Sequence, residues 1–252
     1  MSEPTSFLNR FLRDLDKSKG KLSCQKEVCR IQTAVEEVIK TILSEVSKEQ
    51  PFLTTTLINC GSYYEGTKVG KPDEFDFYVQ LDRLSGPEKV IVEELPCSTV
   101  AVIPTESALK ELKLRHEFEW KRSIKGPFFR LFNSKAEGFK RYGMSVELQN
   151  TGMPLKKHGP AYSLLLKWLD GDFYKDLYID IDLTLAVRIN SQSLKLNSKF
   201  SSLSSPAGEV LRPLLDSLPY FAVGSYRNVL IEVQPNFFEE NATQFDSRSQ
   251  NL

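Results

Sequence analysis

Apolar residues recur every three or four positions along the stretch from residue 25 to residue 48. The residues of this stripe are Val28, Ile31, Val35, Val38, Ile42 and Val46. Because this spacing puts them all on one side of an α-helix, it predicts a long amphipathic helix with one buried face. A shorter helix is predicted over residues 5–16, and the polar segment 17–21 between the two favours either a loop or a kink in one continuous helix.

Beyond Pro51 the helical spacing gives way to alternation of apolar and polar residues, which is typical of β-strands. The clearest alternating runs are residues 74–81 and 177–187. Shorter runs predict strands at 54–58, 89–92, 99–103, 144–148 and 218–224. Residues 106–121 return to a helical pattern. This order of elements predicts one α+β domain, with helices flanking a mostly antiparallel mixed sheet.

Composition limits the classes of function. The chain has 252 residues, and its 33 basic residues are balanced by 33 acidic residues. A net charge of zero confines any nucleic-acid binding to local basic patches. The four cysteines form no CxxC pair, which argues against a thiolate zinc site and a disulfide framework. No apolar run approaches the roughly 20 residues of a membrane helix. These features predict a cytoplasmic protein without membrane contact, and a nuclear location stays open.

Two of the predicted strands carry pairs of carboxylates on one face. Glu74 and Asp76 share a face of the first clear strand, because side chains alternate across a strand. Asp180 and Asp182 are paired in the same way on the second. Like charges at this spacing repel each other, and a divalent cation between them removes the repulsion. Carboxylate oxygens on neighbouring strands therefore predict a site for a hard cation such as Mg²⁺ or Mn²⁺.

A Gly-Ser turn comes shortly before the first carboxylate pair, at Gly61 and Ser62. Such a turn exposes backbone N–H groups and a hydroxyl, which are donors suited to phosphate oxygens. A Glu/Asp-x-Asp triplet alone occurs by chance about once or twice in a chain of this composition. A Gly-Ser pair at this spacing before it lowers the chance expectation to about 0.01 per chain. The combination therefore predicts a phosphate-binding turn next to a metal site.

The segment from Gly61 to Asp76, GSYYEGTKVGKPDEFD, resembles the cyclic GMP-AMP synthase (cGAS) and cGAS-like receptor family of Mab-type nucleotidyltransferases, as does the later DLTLA that begins at Asp182. The resemblance runs from about residue 5 to about residue 225 and includes an N-terminal spine helix over about 5–48. It implies a mixed sheet of the polymerase-β-like nucleotidyltransferase type. In that family the Gly-Ser pair grips the donor triphosphate, while the Glu-x-Asp pair and the later aspartate hold two Mg²⁺ ions.

Carried over to this chain, the family's functional positions are Gly61 and Ser62 for nucleotide binding, and Glu74, Asp76 and Asp182 for catalysis and metal binding. Asp182 is preferred as the third ligand because it directly precedes the Leu-Thr-Leu-Ala that matches the family pattern, and Asp180 stays a second candidate. The implied activity is synthesis of cyclic dinucleotides from ATP or GTP by two-metal phosphoryl transfer, in innate immune sensing.

The resemblance also covers Tyr63, Tyr64 and Lys68, which lie in a loop that rearranges on activation in the family. The alternative, that each is an ordinary turn or packing residue, is equally open from the sequence.

The chain departs from the family after the third carboxylate. Family members continue into a helical second lobe that stacks the nucleobases, whereas this sequence ends about seventy residues after Asp182. We therefore expect a nucleotidyltransferase core over residues 1–238 with the second lobe largely missing, and a polar tail over 239–252. An alternative is a truncated, catalytically inactive homologue that acts as a nucleic-acid or protein binding module.

The DNA-sensing members carry a zinc insertion that has no counterpart here, because no cysteine follows Cys97. No zinc is therefore expected. Residues 106–141 hold ten basic and five acidic residues. The candidate contacts to nucleic-acid phosphates, with a solvated surface as the equal alternative, are Lys17, Lys19, Lys21, Lys110, Lys113, Arg115, Lys121 and Arg122. Without the zinc element, double-stranded RNA is favoured over DNA as the ligand.

Overall fold

The computed structural model describes residues 10, 24–86, 88–95, 99–111, 124–150, 152–158, 161–189, 220–224 and 231–235. Its helices in these ranges are α1 (Gln25–Glu49), α2 (Gly61–Tyr64), α3 (Glu106–Glu111) and α4 (Gly126–Ala136). The strands are β1 (Thr55–Cys60), β2 (Glu74–Leu81), β3 (Val90–Leu95), β4 (Thr99–Pro104), β5 (Lys140–Arg141), β6 (Met144–Glu147), β7 (Leu155–His158), β8 (Ala161–Trp168), β9 (Tyr178–Ile189), β10 (Tyr220–Gly224) and β11 (Ile231–Pro235).

These strands form one curled, mixed sheet with β9 at its centre. The sheet runs in the order β3-β4-β11-β10-β9-β8-β6-β5, while β7 pairs with β8, and β2 joins β1 to β9. The pairing of β2 with β9 is parallel, and every other pairing in the described ranges is antiparallel. The predicted α+β class with a mostly antiparallel mixed sheet is confirmed.

The hydrophobic core lies between α1 and one face of the sheet. The whole apolar stripe predicted for α1 is buried. Phe75, Phe77, Ile181 and Leu183 project from β2 and β9 into the same core cluster. Burial of apolar side chains of this size contributes about 1.5–3 kcal/mol each. Alternation then forces the intervening residues of β2 and β9 onto the other face of the sheet.

A buried carboxylate fixes the first turn of α1 to a distant loop. Glu27 is only 3% exposed. Its Oε1 accepts hydrogen bonds from the indole N–H of Trp168 at 3.1 Å and the backbone N–H of Tyr174 at 3.1 Å. Its Oε2 accepts the N–H of Phe173 at 2.8 Å. Burial alone raises the pKa of Glu27, but these hydrogen bonds outweigh burial and hold the pKa below its usual value.

The secondary structure agrees with the sequence predictions where alternation or helical spacing is clean. The helix predicted over residues 25–48 and the strand predicted over 74–81 are observed as α1 and β2. The helix predicted over 106–121 is observed from Glu106 to Glu111, and residues 112–123 lie outside the described ranges. Most of the helix predicted over 5–16 and the whole tail over 239–252 also lie outside them.

The sequence patterns missed several elements, of which α4 and β8 are the longest in the described ranges. The helix α4 is short and begins at Gly126-Pro127, a pair that ordinarily marks a turn, although proline fits the first helical turn. The strand β8 contains three consecutive leucines, of which Leu164 is buried and Leu165 is partly exposed, so the run hides its alternation. No helix in the described ranges is long and apolar enough to cross a membrane.

Replacing Glu27 by alanine removes the acceptor of three hydrogen bonds, and the donors stay in a largely buried site. We expect the free energy of unfolding of Glu27→Ala to fall by about 2–4 kcal/mol, measured by urea denaturation. Glu37→Ala is the matched control on the same helix, because Glu37 is half-exposed and its carboxylate lies 4.0 Å from Lys40. The control should lose less than about 0.5 kcal/mol. Equal losses in the two variants would contradict the anchoring role of Glu27.

Candidate functional site

The carboxylates predicted from the sequence meet on the face of the sheet that lies opposite α1. In the parallel pairing of β2 with β9, Asp76 is the direct partner of Asp182, and Glu74 is the direct partner of Asp180. Adjacent strands lie about 4.8 Å apart, so the paired side chains are neighbours. The structure thus places the four acidic residues that the two strands were predicted to carry in two adjacent cross-strand pairs.

Asp76 lies at the centre of this group and is half-buried. Burial is the largest cause that raises its pKa, and with the nearby charges of Glu74 and Asp182 it brings the pKa to about 6. The positive charge of Lys68 acts against this shift without cancelling it. A carboxylate in such surroundings gains free energy from a proton or a cation, which is the electrostatic condition for a metal site.

Asp182 and Asp180 differ in their surroundings. Asp182 is half-buried, and its Oδ1 accepts a hydrogen bond from the Oγ of Ser163 on β8 at 2.5 Å. Asp180 is exposed, and its backbone N–H donates to the carbonyl oxygen of Asp73 at 2.9 Å. The charge of Asp182 is among the causes that raise the pKa of Asp76, its direct strand partner. The geometry therefore favours Asp182 as the partner of Asp76.

Gly61 opens the turn that follows β1 and lies against the carboxylate of Asp76. Its φ of +75° is in the left-handed region, and a Cβ at this position would lie 2.0 Å from Oδ2 of Asp76. Cys60, the preceding residue, is the direct strand partner of Asp76. Burial raises the pKa of the Cys60 thiol to about 12, which excludes a thiolate nucleophile here at neutral pH. Glycine is thus required at residue 61 by both backbone conformation and space.

The loop after this turn closes back on Ser62. The carbonyl oxygen of Ser62 accepts the backbone N–H groups of Thr67 and Lys68, each at 2.9 Å. The ammonium of Lys68 then lies 2.9 Å from Oε2 of Glu74 and 3.0 Å from Oδ1 of Asp73. The loop therefore holds the ammonium of Lys68 against the carboxylates of Asp73 and Glu74.

Tyr63 and Tyr64 join the turn to α1. The ring of Tyr63 lies 4.2 Å from that of Phe75 between centroids, and the ring of Tyr64 lies 6.1 Å from it. The Tyr63 hydroxyl donates to Gln32 at 3.2 Å, and the Tyr64 hydroxyl donates to Glu36 at 3.1 Å. Burial, with the nearby charge of Glu36, raises the pKa of both phenols. These contacts favour the packing role that the sequence left open.

The donor set suits a hard cation, since it offers carboxylate oxygens of which one is poorly solvated. In the part of the chain that the structure describes, however, no three carboxylate, imidazole or thiol groups converge on one point. Two of the carboxylate oxygens already have partners, because Oε2 of Glu74 accepts from Lys68 and Oδ1 of Asp182 accepts from Ser163. A cation between the strands would have to draw both side chains away from these partners.

The residues predicted to contact nucleic acid are mostly outside the structure's described ranges. These residues are Lys17, Lys19, Lys21, Lys113, Arg115, Lys121 and Arg122. Lys110, on α3, is exposed and forms an ion pair with Glu106 at 2.7 Å. An exposed pair between two residues of one helix is typical of a solvated helix face, so Lys110 by itself adds no support for a nucleic-acid surface.

Sequence reasoning missed two residues of the site. Ser163 lies beside an apolar run, and nothing in that run signals a partner for Asp182. Asp73 precedes Glu74 and could be noticed only as one more acidic residue near the strand. No protein-family model matches the chain. Its function has to be inferred from the arrangement of its own residues.

The close approach of Gly61 to Asp76 can be tested with a pair of alanine variants. Gly66→Ala adds a methyl group at a φ of +70° with nothing described within 4 Å, so it carries backbone strain alone, about 1–2 kcal/mol. Gly61→Ala adds the same strain and pushes on Asp76, so we expect a further loss of about 1–3 kcal/mol. Thermal and urea unfolding measure both variants. A Gly61→Ala protein as stable as Gly66→Ala would contradict the contact.

The raised pKa of Asp76 makes stability depend on pH. Between about pH 4 and pH 6 the folded protein holds the Asp76 proton that the unfolded chain has lost, so this group destabilises the fold as pH rises. Asp76→Asn removes that effect. In metal-free buffer at pH 7.5 the variant should be more stable by about 1–2 kcal/mol, a figure reduced because the carboxylate is partly exposed to solvent.

At pH 4 the advantage of Asp76→Asn should disappear, because the wild-type carboxyl is then neutral in the folded protein. Urea denaturation in the presence of EDTA at the two pH values makes the comparison. An Asp76→Asn protein less stable than wild type at pH 7.5 would show that the ionised carboxylate is stabilised by its neighbours.

Proposed function

We propose that this protein is a nucleotidyltransferase of the cGAS-like type, which joins ATP or GTP into a cyclic dinucleotide that serves as an innate immune signal. The observation that carries the proposal is the in-register pairing of Asp76 with Asp182 beside the turn at Gly61 and Ser62. The curled mixed sheet with its one parallel pair of strands is compatible with a nucleotidyltransferase fold. Fold alone does not determine activity, so the argument depends on the site.

Gly61 and Ser62 are the proposed contact to the donor triphosphate. Glycine lets the backbone approach a ligand closely, and the Ser62 hydroxyl is a donor for a phosphate oxygen. The turn adjoins Asp76, since Cys60 and Asp76 are strand partners. A triphosphate held at the turn would therefore lie over the paired carboxylates.

Glu74, Asp76 and Asp182 are the proposed ligands of two Mg²⁺ or Mn²⁺ ions. Such ions neutralise the charge that develops on the α-phosphate and on pyrophosphate during phosphoryl transfer. The residues themselves supply oxygen donors at fixed strand positions, and the hydrogen bond from Ser163 to Oδ1 of Asp182 would give way to the ion.

In the proposed reaction Asp182 accepts the proton of a ribose hydroxyl. The hydroxyl oxygen forms a bond to the α-phosphorus of the donor, and the bond from that phosphorus to the pyrophosphate oxygen breaks in line. Pyrophosphate leaves with the electron pair, so atoms and charge balance. The same step repeated within the linear dinucleotide closes the ring and releases a second pyrophosphate.

The proposal is tested by incubating the full chain with α-labelled ATP and GTP and separating the products by thin-layer chromatography. Mg²⁺ and Mn²⁺ are each tried, with double-stranded RNA, with double-stranded DNA and without nucleic acid. We expect a cyclic product that resists phosphatase, because ring closure leaves no terminal phosphate. The double variant Glu74→Ala, Asp76→Ala and the single variant Asp182→Ala should each lose at least about 100-fold of the rate.

Asp180→Ala is the matched control for these variants. It removes an exposed carboxylate from the same strand as Asp182 and should retain most of the rate. A greater loss in Asp180→Ala than in Asp182→Ala would make Asp180 the third ligand. Absence of any product from the folded wild-type chain under all six conditions would contradict the proposed activity.

A further inference from the structure

Lys68 is the cation that the site already contains. Its side chain is only 13% exposed, which is unusual for a lysine in a loop. The ammonium pairs with Glu74 at 2.9 Å and with Asp73 at 3.0 Å. Burial alone lowers the pKa of Lys68, but the two carboxylates raise it by more, so the group is firmly protonated.

The position of this ammonium is set by the backbone. The N–H of Lys68 donates to the carbonyl oxygen of Ser62, the residue that follows Gly61 in the turn. The N–H and the hydroxyl of Thr67 donate to the same oxygen. The Cα of Lys68 is thereby fixed beside the Gly61–Ser62 turn, while its four-carbon side chain can still rotate.

Glu74 cannot serve the ammonium and a divalent ion equally well. A divalent cation at the paired strands needs carboxylate oxygens within about 2.0–2.6 Å, and Lys68 already holds Oε2 of Glu74. An ammonium that close to a divalent ion is also repelled by it. The exchange leaves Lys68 with its charge, beside the turn and without Glu74, while Asp73 stays within reach of the ammonium.

We propose that Lys68 is the resting counter-ion of the site, that a divalent cation competes with it for Glu74, and that the displaced ammonium then binds the polyphosphate of the nucleotide. This inference rests on the proposed function, because it takes the carboxylates as the metal site and a nucleoside triphosphate as the ligand. A lysine ammonium is a compact charge well suited to phosphate oxygens. Lys68 thereby moves from Glu74 to the phosphates within one site and acts as a positioning residue for the donor nucleotide.

The first measurement is metal binding without nucleotide. Mn²⁺ is titrated into the full chain and the free ion is followed by electron paramagnetic resonance. Lys68→Met removes the competing ammonium and keeps the aliphatic side chain, so Mn²⁺ affinity should increase by about three- to tenfold. Lys71→Met is the matched control, because Lys71 is an exposed lysine of the same loop. The control should change Mn²⁺ affinity by less than about twofold.

The second measurement is nucleotide binding at saturating Mn²⁺. Isothermal titration with an ATP analogue that carries a methylene bridge between the α- and β-phosphorus atoms reports affinity without turnover. Lys68→Met should weaken binding of the analogue by about three- to tenfold, whereas Lys71→Met should leave it within about twofold of wild type. Opposite changes in metal and nucleotide affinity are not produced by a general loosening of the loop.

Unchanged or weaker Mn²⁺ binding in Lys68→Met would overturn the competition, and unchanged analogue binding would overturn the transfer to phosphate. The double variant Glu74→Ala, Asp76→Ala separates these failures from failure of the proposed function. If the double variant abolishes Mn²⁺ binding while Lys68→Met changes neither Mn²⁺ nor analogue affinity, only the proposed role of Lys68 is refuted. If neither the double variant nor Asp182→Ala weakens Mn²⁺ binding, the proposed metal site and the proposed role of Lys68 are both refuted. Thermal melting confirms that each variant is folded.

Discussion

The structure depends on the parallel pairing of β2 with β9. This pairing buries Phe75, Phe77 and the inward residues of β9 against α1, which is the main source of stability in this part of the fold. The same alternation places Asp76 directly beside Asp182 on the other face. A slip of one residue would send the apolar side chains to the opposite face, so packing fixes the register. The carboxylate pair follows from the core, and its electrostatic cost is offset by apolar burial.

The helix α1 determines how the rest of the site is held. At its first turn Glu27 binds the loop that precedes β9, through the backbone of Phe173 and Tyr174. Between one and three turns further on, Gln32 and Glu36 accept hydrogen bonds from the hydroxyl groups of Tyr63 and Tyr64, which follow Gly61 and Ser62. One rigid element therefore touches both segments that lead into the carboxylate strands. The position of the turn relative to Asp182 is consequently not left to loop geometry alone.

The parts that the sequence predicts are those controlled by local periodicity. Alternation identifies β2, β9 and the face of each carboxylate, and helical spacing identifies α1. The direct partnership of Asp76 with Asp182 is a question of register between distant strands, which neither strand encodes by itself. Helical spacing puts Glu27 in line with Ile31 and Ala34 on the buried side of α1, and only tertiary contacts reveal the donors that its carboxylate accepts from. Ser163 has no local signal, because its role exists only where β8 pairs with β9.

Lys68 shows why charge pattern alone is ambiguous. Glu65, Asp73 and Glu74 all lie within a few residues of it, and any of them is a plausible partner from the sequence. The hydrogen bonds to Ser62 decide the matter, because they close the loop over the strand end and bring the ammonium to Asp73 and Glu74. The crowding of carboxylates is accompanied by three features. Glu74 pairs with the ammonium of Lys68, Asp182 accepts a hydrogen bond from the hydroxyl of Ser163, and the pKa of Asp76 is raised. The first two lower the electrostatic cost of holding these carboxylates at adjacent strand positions, and the third makes Asp76 bind a proton more readily.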